Sequence, residues 1–149
     1  MSTTPLHLWI ALSRAYATIA AHAEADVTRH GITLAEFGVL EALYHKGAMR
    51  QGDLQRRILV SSGGVTWVVN RLAKRGLVCR RPCPDDARGS FADLTPRGRA
   101  FIAERFPDHA TAIGRATEGL TAAERAEATI LLKKLGRHAA AQPMVESKD

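Results

Sequence analysis

Cysteine, aromatic residues and long apolar runs are all scarce in this chain of 149 residues. Only two cysteines occur, Cys79 and Cys83, which excludes a disulfide scaffold and fits a reducing compartment. Placed four apart in one strand, they would be separated by ~13 Å at about 3.3 Å per residue, too far for a bridge, so both are expected as thiols. The six histidines form no H-E-x-x-H pair and the cysteines no C-x-x-C clip, so no recognised zinc spacing is present and no metal or cofactor is expected. A G-x-S-x-G elbow, a P-loop and a dinucleotide fingerprint are missing as well. Gly63-Gly64 opens a helical pattern without the rest of a phosphate loop, and nothing argues for catalysis. Residues 6–21 lean apolar but are interrupted by His7 and Arg14, fall short of a membrane span and lack a basic leader. The expectation is a cytoplasmic protein without membrane contact, organised as one domain over 1–149.

What the chain has is positive charge in one place. The whole sequence carries a formal +6, yet residues 46–106 hold thirteen Lys/Arg against five Asp/Glu, leaving the remainder slightly acidic. Clustering of this kind favours phosphate contacts over general solubility. Arg56, Arg57, Arg80 and Arg81 are the candidates for backbone contact, supplying affinity and salt dependence rather than base reading.

Within that basic region Val65, Val68, Val69 and Leu72 recur at i, i+3, i+4 and i+7, the stripe a helix turns toward a core. Ser61 is a good N-cap and Gly76 a good C-terminal stop, so a helix is expected from about Ser62 to Arg75. Its other face carries Gly63, Thr66, Trp67, Asn70, Arg71 and Lys74, a polar and cationic surface suited to a major groove. Upstream, Thr33-Leu34-Ala35-Glu36 has the form of a capping box, opening a helix with Phe37, Leu40 and Tyr44 that Gly47 closes. A short helix over about Gln51–Ile58 completes a tri-helical unit whose last helix reads the groove. Downstream, Leu77–Arg81 is a plausible strand, Pro82–Gly89 is rich in turn residues, and Ser90–Leu94 returns before Pro96 starts another helix.

That hairpin carries a resemblance. Arg71-Leu72-Ala73-Lys74-Arg75-Gly76 follows the R-L-x-x-[RK]-G ending of a recognition helix, and Asp86-Ala87-Arg88 is followed in register by Leu94-Thr95-Pro96-Arg97-Gly98, an L-T-x-x-G motif. Over nearly its whole length the chain resembles the MarR-family winged helix-turn-helix transcriptional regulators. The fold implied is mainly α with a small β-hairpin wing and with dimerisation helices at both ends, and the function implied is a ligand-responsive repressor acting as a homodimer. Arg88 would then enter the minor groove from the wing tip, with Asp86 stabilising the wing turn. Thr66, Asn70, Arg71 and Lys74 would face the major groove, while Ser61, Ser62 and Gly63 allow close phosphate approach. Trp67 departs from the family pattern: it either stacks on sugar or meets a thymine methyl, or it packs inward. A non-specific architectural DNA binder and a redox sensor using the wing cysteines are the alternatives, although the sensing cysteine of peroxide-responsive members would lie in the first helix, where this chain has none.

The two ends fit the same picture. Leu8, Leu12, Tyr16, Ile19 and Ala23 form a stripe in the first thirty residues, and Thr121 and Glu124 form a second capping box ahead of Ala128, Leu131, Leu132 and Leu135. The expected layout is 33–98 as the DNA-binding lobe, with 6–30 and 108–141 as dimerisation helices. A twofold dimer would set its reading helices roughly 34–36 Å apart, matching an inverted repeat in double-stranded DNA. The helix starting at Thr95 is expected to kink or break near Phe106 because Pro107 interrupts it. By resemblance a small aromatic or phenolic effector would bind between the dimer and reading lobes, with His7, Trp9, Arg14 and Tyr16 as its contacts. A Trp/Tyr pair at that spacing is more often dimer core than a pocket wall.

Overall fold

Period-3.6 apolar stripes and well-defined caps lay out six helices among the described residues, and one short sheet joins them. The computed structural model describes residues 4–58, 62–83 and 86–144. In chain order the elements are α1 (Pro5–Thr28), α2 (Leu34–Lys46), β1 (Met49–Arg50), α3 (Gln51–Ile58), α4 (Ser62–Lys74), β2 (Val78–Cys83), β3 (Asp86–Leu94), α5 (Pro96–Ala116) and α6 (Ala122–Ala141). The chain divides into two compact units, residues 1–113 and 114–149. No helix among the described residues is long and apolar enough to cross a membrane.

The core of the first unit gathers around α4. Val65, Val68, Val69 and Leu72 are buried, as their spacing predicts, and cluster with Phe37, Leu40 and Leu43 of α2, Leu54 of α3, Leu77, and Ile102 of α5. The helix ends one residue earlier than expected, at Lys74, in a Schellman motif. Gly76 adopts φ +70°, its N–H donates to the Ala73 carbonyl at 3.0 Å, and the Leu77 N–H donates to the Leu72 carbonyl at 3.0 Å. Buried Leu77 and Leu72 supply the apolar contact that accompanies such a stop.

The L-T-x-x-G segment locks this stop to the next helix. The Thr95 hydroxyl accepts from the Gly98 N–H at 3.0 Å and donates to the Gly76 carbonyl at 2.6 Å. The Thr95 N–H donates to the Leu77 carbonyl at 3.1 Å. Thr95 therefore caps α5 while holding the end of α4. Gly98 is required by close approach: a Cβ there would lie 1.8 Å from the Leu77 carbonyl oxygen.

Three features differ from the sequence-based expectation. The wing is longer, because pairing of β2 with β3 extends from Val78↔Leu94 to Cys83↔Asp86, with an irregularity at Pro82/Cys83. Residues read as turn from their Pro, Asp and Gly content are recruited into the ladder. A third strand is present: Met49 and Arg50 pair antiparallel with Ala92 and Phe91, giving the order β1-β3-β2. Finally, of the kink or break expected at Pro107, the break does not occur: α5 continues through it. Ala103, whose carbonyl loses its i+4 donor there, lies on an exposed face, so the freed carbonyl is not left in the core. Both wing cysteines fall on β2 as expected, and Cys79 is a free thiol.

Replacing Gly98 with Ala should force the Leu77 carbonyl away from α5. A stability loss of about 3 kcal/mol is expected in urea denaturation, the cost of an overpacked site with no flexible neighbour to yield.

Candidate nucleic-acid interface and the cavity behind it

Because α4 turns one valine-leucine stripe into the core, its opposite face is presented outward by default. Trp67 is 54% exposed, Asn70, Arg71 and Lys74 are exposed, and Thr66 is half-buried. The inward alternative for Trp67 does not occur. Ser61 lies outside the described residues; Ser62 and Gly63 open α4, while Asp86 and Arg88 lie on β3. The expected roles of the Ser62, Asp86 and Arg88 side chains likewise fall outside what is described.

Several polar groups of this face are already engaged. The Gln51 amide donates to the Thr66 hydroxyl at 2.5 Å. From β2, Arg80 donates to the Asn70 side-chain oxygen at 2.9 Å and to the Gln51 side-chain oxygen at 3.3 Å. The first residue of α3, the middle of α4 and the wing are thus connected by one polar network. Beside it lies a cleft of about 520 Å³ lined by Arg50, Gln51, Arg56, Thr66, Arg80 and Ser90 among others. Three arginines around a cleft on a reading face are the chemistry of a phosphate-bearing partner.

Arg71, expected from the sequence to reach base edges, is tied inward. Its Nε lies 3.4 Å from Glu36 Oε1, and its guanidinium carbon sits 4.7 Å from the centre of the Trp67 ring. Arg75 Nη1 lies 3.4 Å from Glu36 Oε2 and donates to the Gly31 carbonyl at 2.9 Å. Glu36 itself is completely buried, and a carboxylate removed from water must be paired. The expected capping box at Thr33 is therefore only half formed. The Thr33 hydroxyl accepts from the Glu36 N–H at 3.1 Å and donates to the Glu36 side chain at 3.3 Å, but that carboxylate is directed to Arg71 of α4 and to Arg75 just beyond it. The second box, at Thr121 and Glu124, is complete.

The other expected phosphate ligands are similarly qualified. Arg81 pairs with Asp93 at 3.0 Å, Arg56 pairs with Asp53, and Arg57 lines a cavity behind α2. Exposure of both arginines of the first two pairs keeps them available to exchange partners when a polyanion arrives.

The cavity behind α2 measures about 510 Å³ and is lined by Tyr16, Phe37, Glu41, His45, Arg57, Ile58 and His109, with smaller residues between. Of the four contacts expected from the first helix, Tyr16 alone reaches it. His7, Trp9 and Arg14 are exposed and absent from its wall, because α1 becomes buried only near its end, at Ala23, Asp26 and Val27. Alternation along α1 does not disclose this, and the walls come mainly from α2.

One wall of the cavity has its own polar support. His109 Nδ1 lies 3.1 Å from Asp26 Oδ2, and its ring centre is 4.2 Å from that of Phe37. Burial pushes the Asp26 carboxyl up, but hydrogen bonds and charge from Arg29 and His109 together outweigh it and hold the group below its ordinary value. The sequence gives no local signal for this pair, whose members stand 83 positions apart.

Comparison with known proteins gives one consistent picture. The MarR family pattern matches residues 32–90. The HTH-type transcriptional regulator MhqR of Bacillus subtilis is 38% identical over 139 residues, covering 93% of this chain and 96% of that protein. Among solved structures, Bordetella bronchiseptica BpsR, described as regulated in DNA binding by 6-hydroxynicotinic acid, superposes with a TM-score of 0.78 at 31% identity, covering 87% of this chain and 98% of that one. A mutant MarR from E. coli complexed with operator DNA superposes with a TM-score of 0.77 at 27% identity, covering 86% and 92% respectively.

Two substitutions test the internal pairs. Glu36→Gln keeps the shape but removes the charge that holds two half-exposed arginines, and should cost about 1–2 kcal/mol in chemical denaturation. Asp26→Asn should destabilise the protein at neutral pH. Because the folded Asp26 value is lowered, its contribution is present above the ordinary carboxylate range and is lost as pH falls through the lowered value. The gap between wild type and variant should accordingly close in acid; a constant gap across a denaturation pH series would remove the role assigned to the Asp26 charge.

Proposed function

The chain belongs to the MarR family of transcriptional regulators, and from that premise we propose that it binds an inverted-repeat operator as a homodimer, represses by default and responds to a small aromatic effector. The observation that carries the reading is the outward face of α4, flanked by an arginine-lined cleft and joined through Arg80 to the wing. Asn70 is the proposed base reader of the helix, with Thr66 and Lys74 beside it. Arg88 is the proposed minor-groove contact, Asp86 supports the wing turn, and Ser61, Ser62 and Gly63 admit the backbone. Arg71 chiefly positions the helix. The protein acts by binding, with no chemical step, and works in the cytoplasm where its DNA lies.

Residues 33–98 serve as the reading lobe and residues 6–30 and 108–141 as dimerisation helices. Support comes from uncovered apolar surface at both ends: Leu6, Leu8, Trp9 and Ile10 on α1, and Ile130, Leu131, Leu132 and Leu135 on α6, are 37–71% exposed. Surface of this extent is the signature of a partner, and a second copy covers it symmetrically. The effector site is the cavity behind α2. Phe37, Tyr16 and His45 supply aromatic walls and Arg57 and His109 supply polar contacts, a set that suits a planar aromatic acid. Its occupant acts only by favouring one spacing of the reading helices over another.

Selection of random duplexes by the purified protein, followed by binding across a salt series, tests this reading. An inverted repeat with half-sites about one turn apart is expected, with log K falling by about 0.9 per phosphate neutralised for each log unit of salt. Asn70→Ala should relax preference at individual bases by about 1–3 kcal/mol, whereas Arg88→Ala should weaken all sites more evenly. Salt-steep but sequence-flat binding would instead identify an architectural DNA protein.

A further inference from the structure

On the outward face of α4 three polar side chains already have partners inside the protein. Thr66 is bonded to Gln51, Asn70 accepts from Arg80, and Arg71 is clasped by Glu36. The one large apolar side chain on this face is Trp67, more than half exposed, and a large exposed apolar group at a reading surface calls for a specific explanation. Its orientation is also supported. The Arg71 guanidinium lies over the ring at 4.7 Å, and Arg71 is fixed in turn by the buried Glu36 carboxylate. This chain of contacts runs from the core through a cation to the indole, holding one face of the ring and leaving the rest of its surface outward.

An indole carries one N–H donor and otherwise a broad apolar surface. In the major groove the apolar feature that distinguishes one base from another is the C5-methyl of thymine; the remaining edges present donors and acceptors, of which the indole can answer one acceptor at most, through its single N–H. We propose that Trp67 is a specificity-determining residue that reads the 5-methyl group of a pyrimidine, so that each half-site contains a thymine chosen for its methyl rather than for its hydrogen bonds. The same contact accepts 5-methylcytosine in preference to cytosine. Glu36 and Arg71 are its positioning residues.

This inference rests on the operator-binding reading above, and the test separates the two. In the selected duplex, each thymine is replaced singly by deoxyuridine, which removes the methyl and leaves the pairing edge unchanged. Wild-type protein should lose about three- to fivefold affinity at one thymine of each half-site, the effect of one buried methyl. At that position a cytosine should bind more weakly than 5-methylcytosine. Trp67→Ala should bind thymine and deoxyuridine duplexes equally while keeping the wild-type salt slope. Specific binding that is indifferent to every deoxyuridine, or a penalty that persists undiminished in Trp67→Ala, overturns the role of the indole and leaves the regulator reading intact. Selection that recovers no preferred sequence overturns both.

Discussion

A carboxylate with no access to water governs how α4 is set against α2. Glu36 leaves solvent at the first turn of α2 and is paired with Arg71 of α4 and Arg75 just past its end. Apolar packing of Val65, Val68, Val69 and Leu72 presses α4 onto the core, but a hydrophobic stripe is directionless and tolerates small rotations. Two ion pairs to one carboxylate do not: they set the rotation and axial position of the helix relative to α2. Arg75 extends the restraint to the Gly31 carbonyl, so the loop joining α1 to α2 is included. Removing the charge would leave apolar packing intact and orientation loose, a separation between stability and register that buried polar groups characteristically produce.

The polar network on the outer face complements this inner clasp. Gln51, Thr66, Asn70 and Arg80 link α3, α4 and β2, while Thr95 and Gly98 join the end of α4 to α5. Helix, wing and following helix are held as a unit from both sides. The cavity behind α2 touches this unit through Phe37, Arg57 and His109, and Phe37 belongs equally to the core. A ligand seated there would press on the same α2 that carries Glu36.

Legibility from sequence followed the range of the interactions. The α4 stripe, the Gly76 stop and the Thr121 cap depend on residues within one or two helical turns, and each is found where its spacing predicts. The L-T-x-x-G segment was recognisable as a motif, yet the reason for its glycine, a carbonyl at contact distance, belongs to the folded chain. Glu36 shows the limit most clearly. Local pattern assigns it to a capping box, and only the arrival of residues 35 and 39 positions away gives its carboxylate another use. Strand β1 is too short for alternation to register, and Pro107 reads as a break until Ala103 is seen to face water. Of the four residues proposed for a pocket, Tyr16 lines the cavity behind α2 while His7, Trp9 and Arg14 lie on the exposed part of α1: a helical stripe reports that one side is apolar, not where along the helix burial begins.

The short β1 strand has a mechanical consequence. Pairing with Met49 and Arg50 grips β3 at Phe91 and Ala92, near the root of the hairpin, and beyond that grip Ser90 and Asp86 pair with β2 alone, on either side of the irregularity at Pro82/Cys83. The wing is thus held at its base beside α3, and the ladder loses its regular register beyond that hold, at Pro82/Cys83. A rotation at the clamp is carried outward along β2 and β3, and a shift of a few tenths of an ångström is enough to weaken a hydrogen bond. Sensitivity at the tip is therefore set by stiffness at the root.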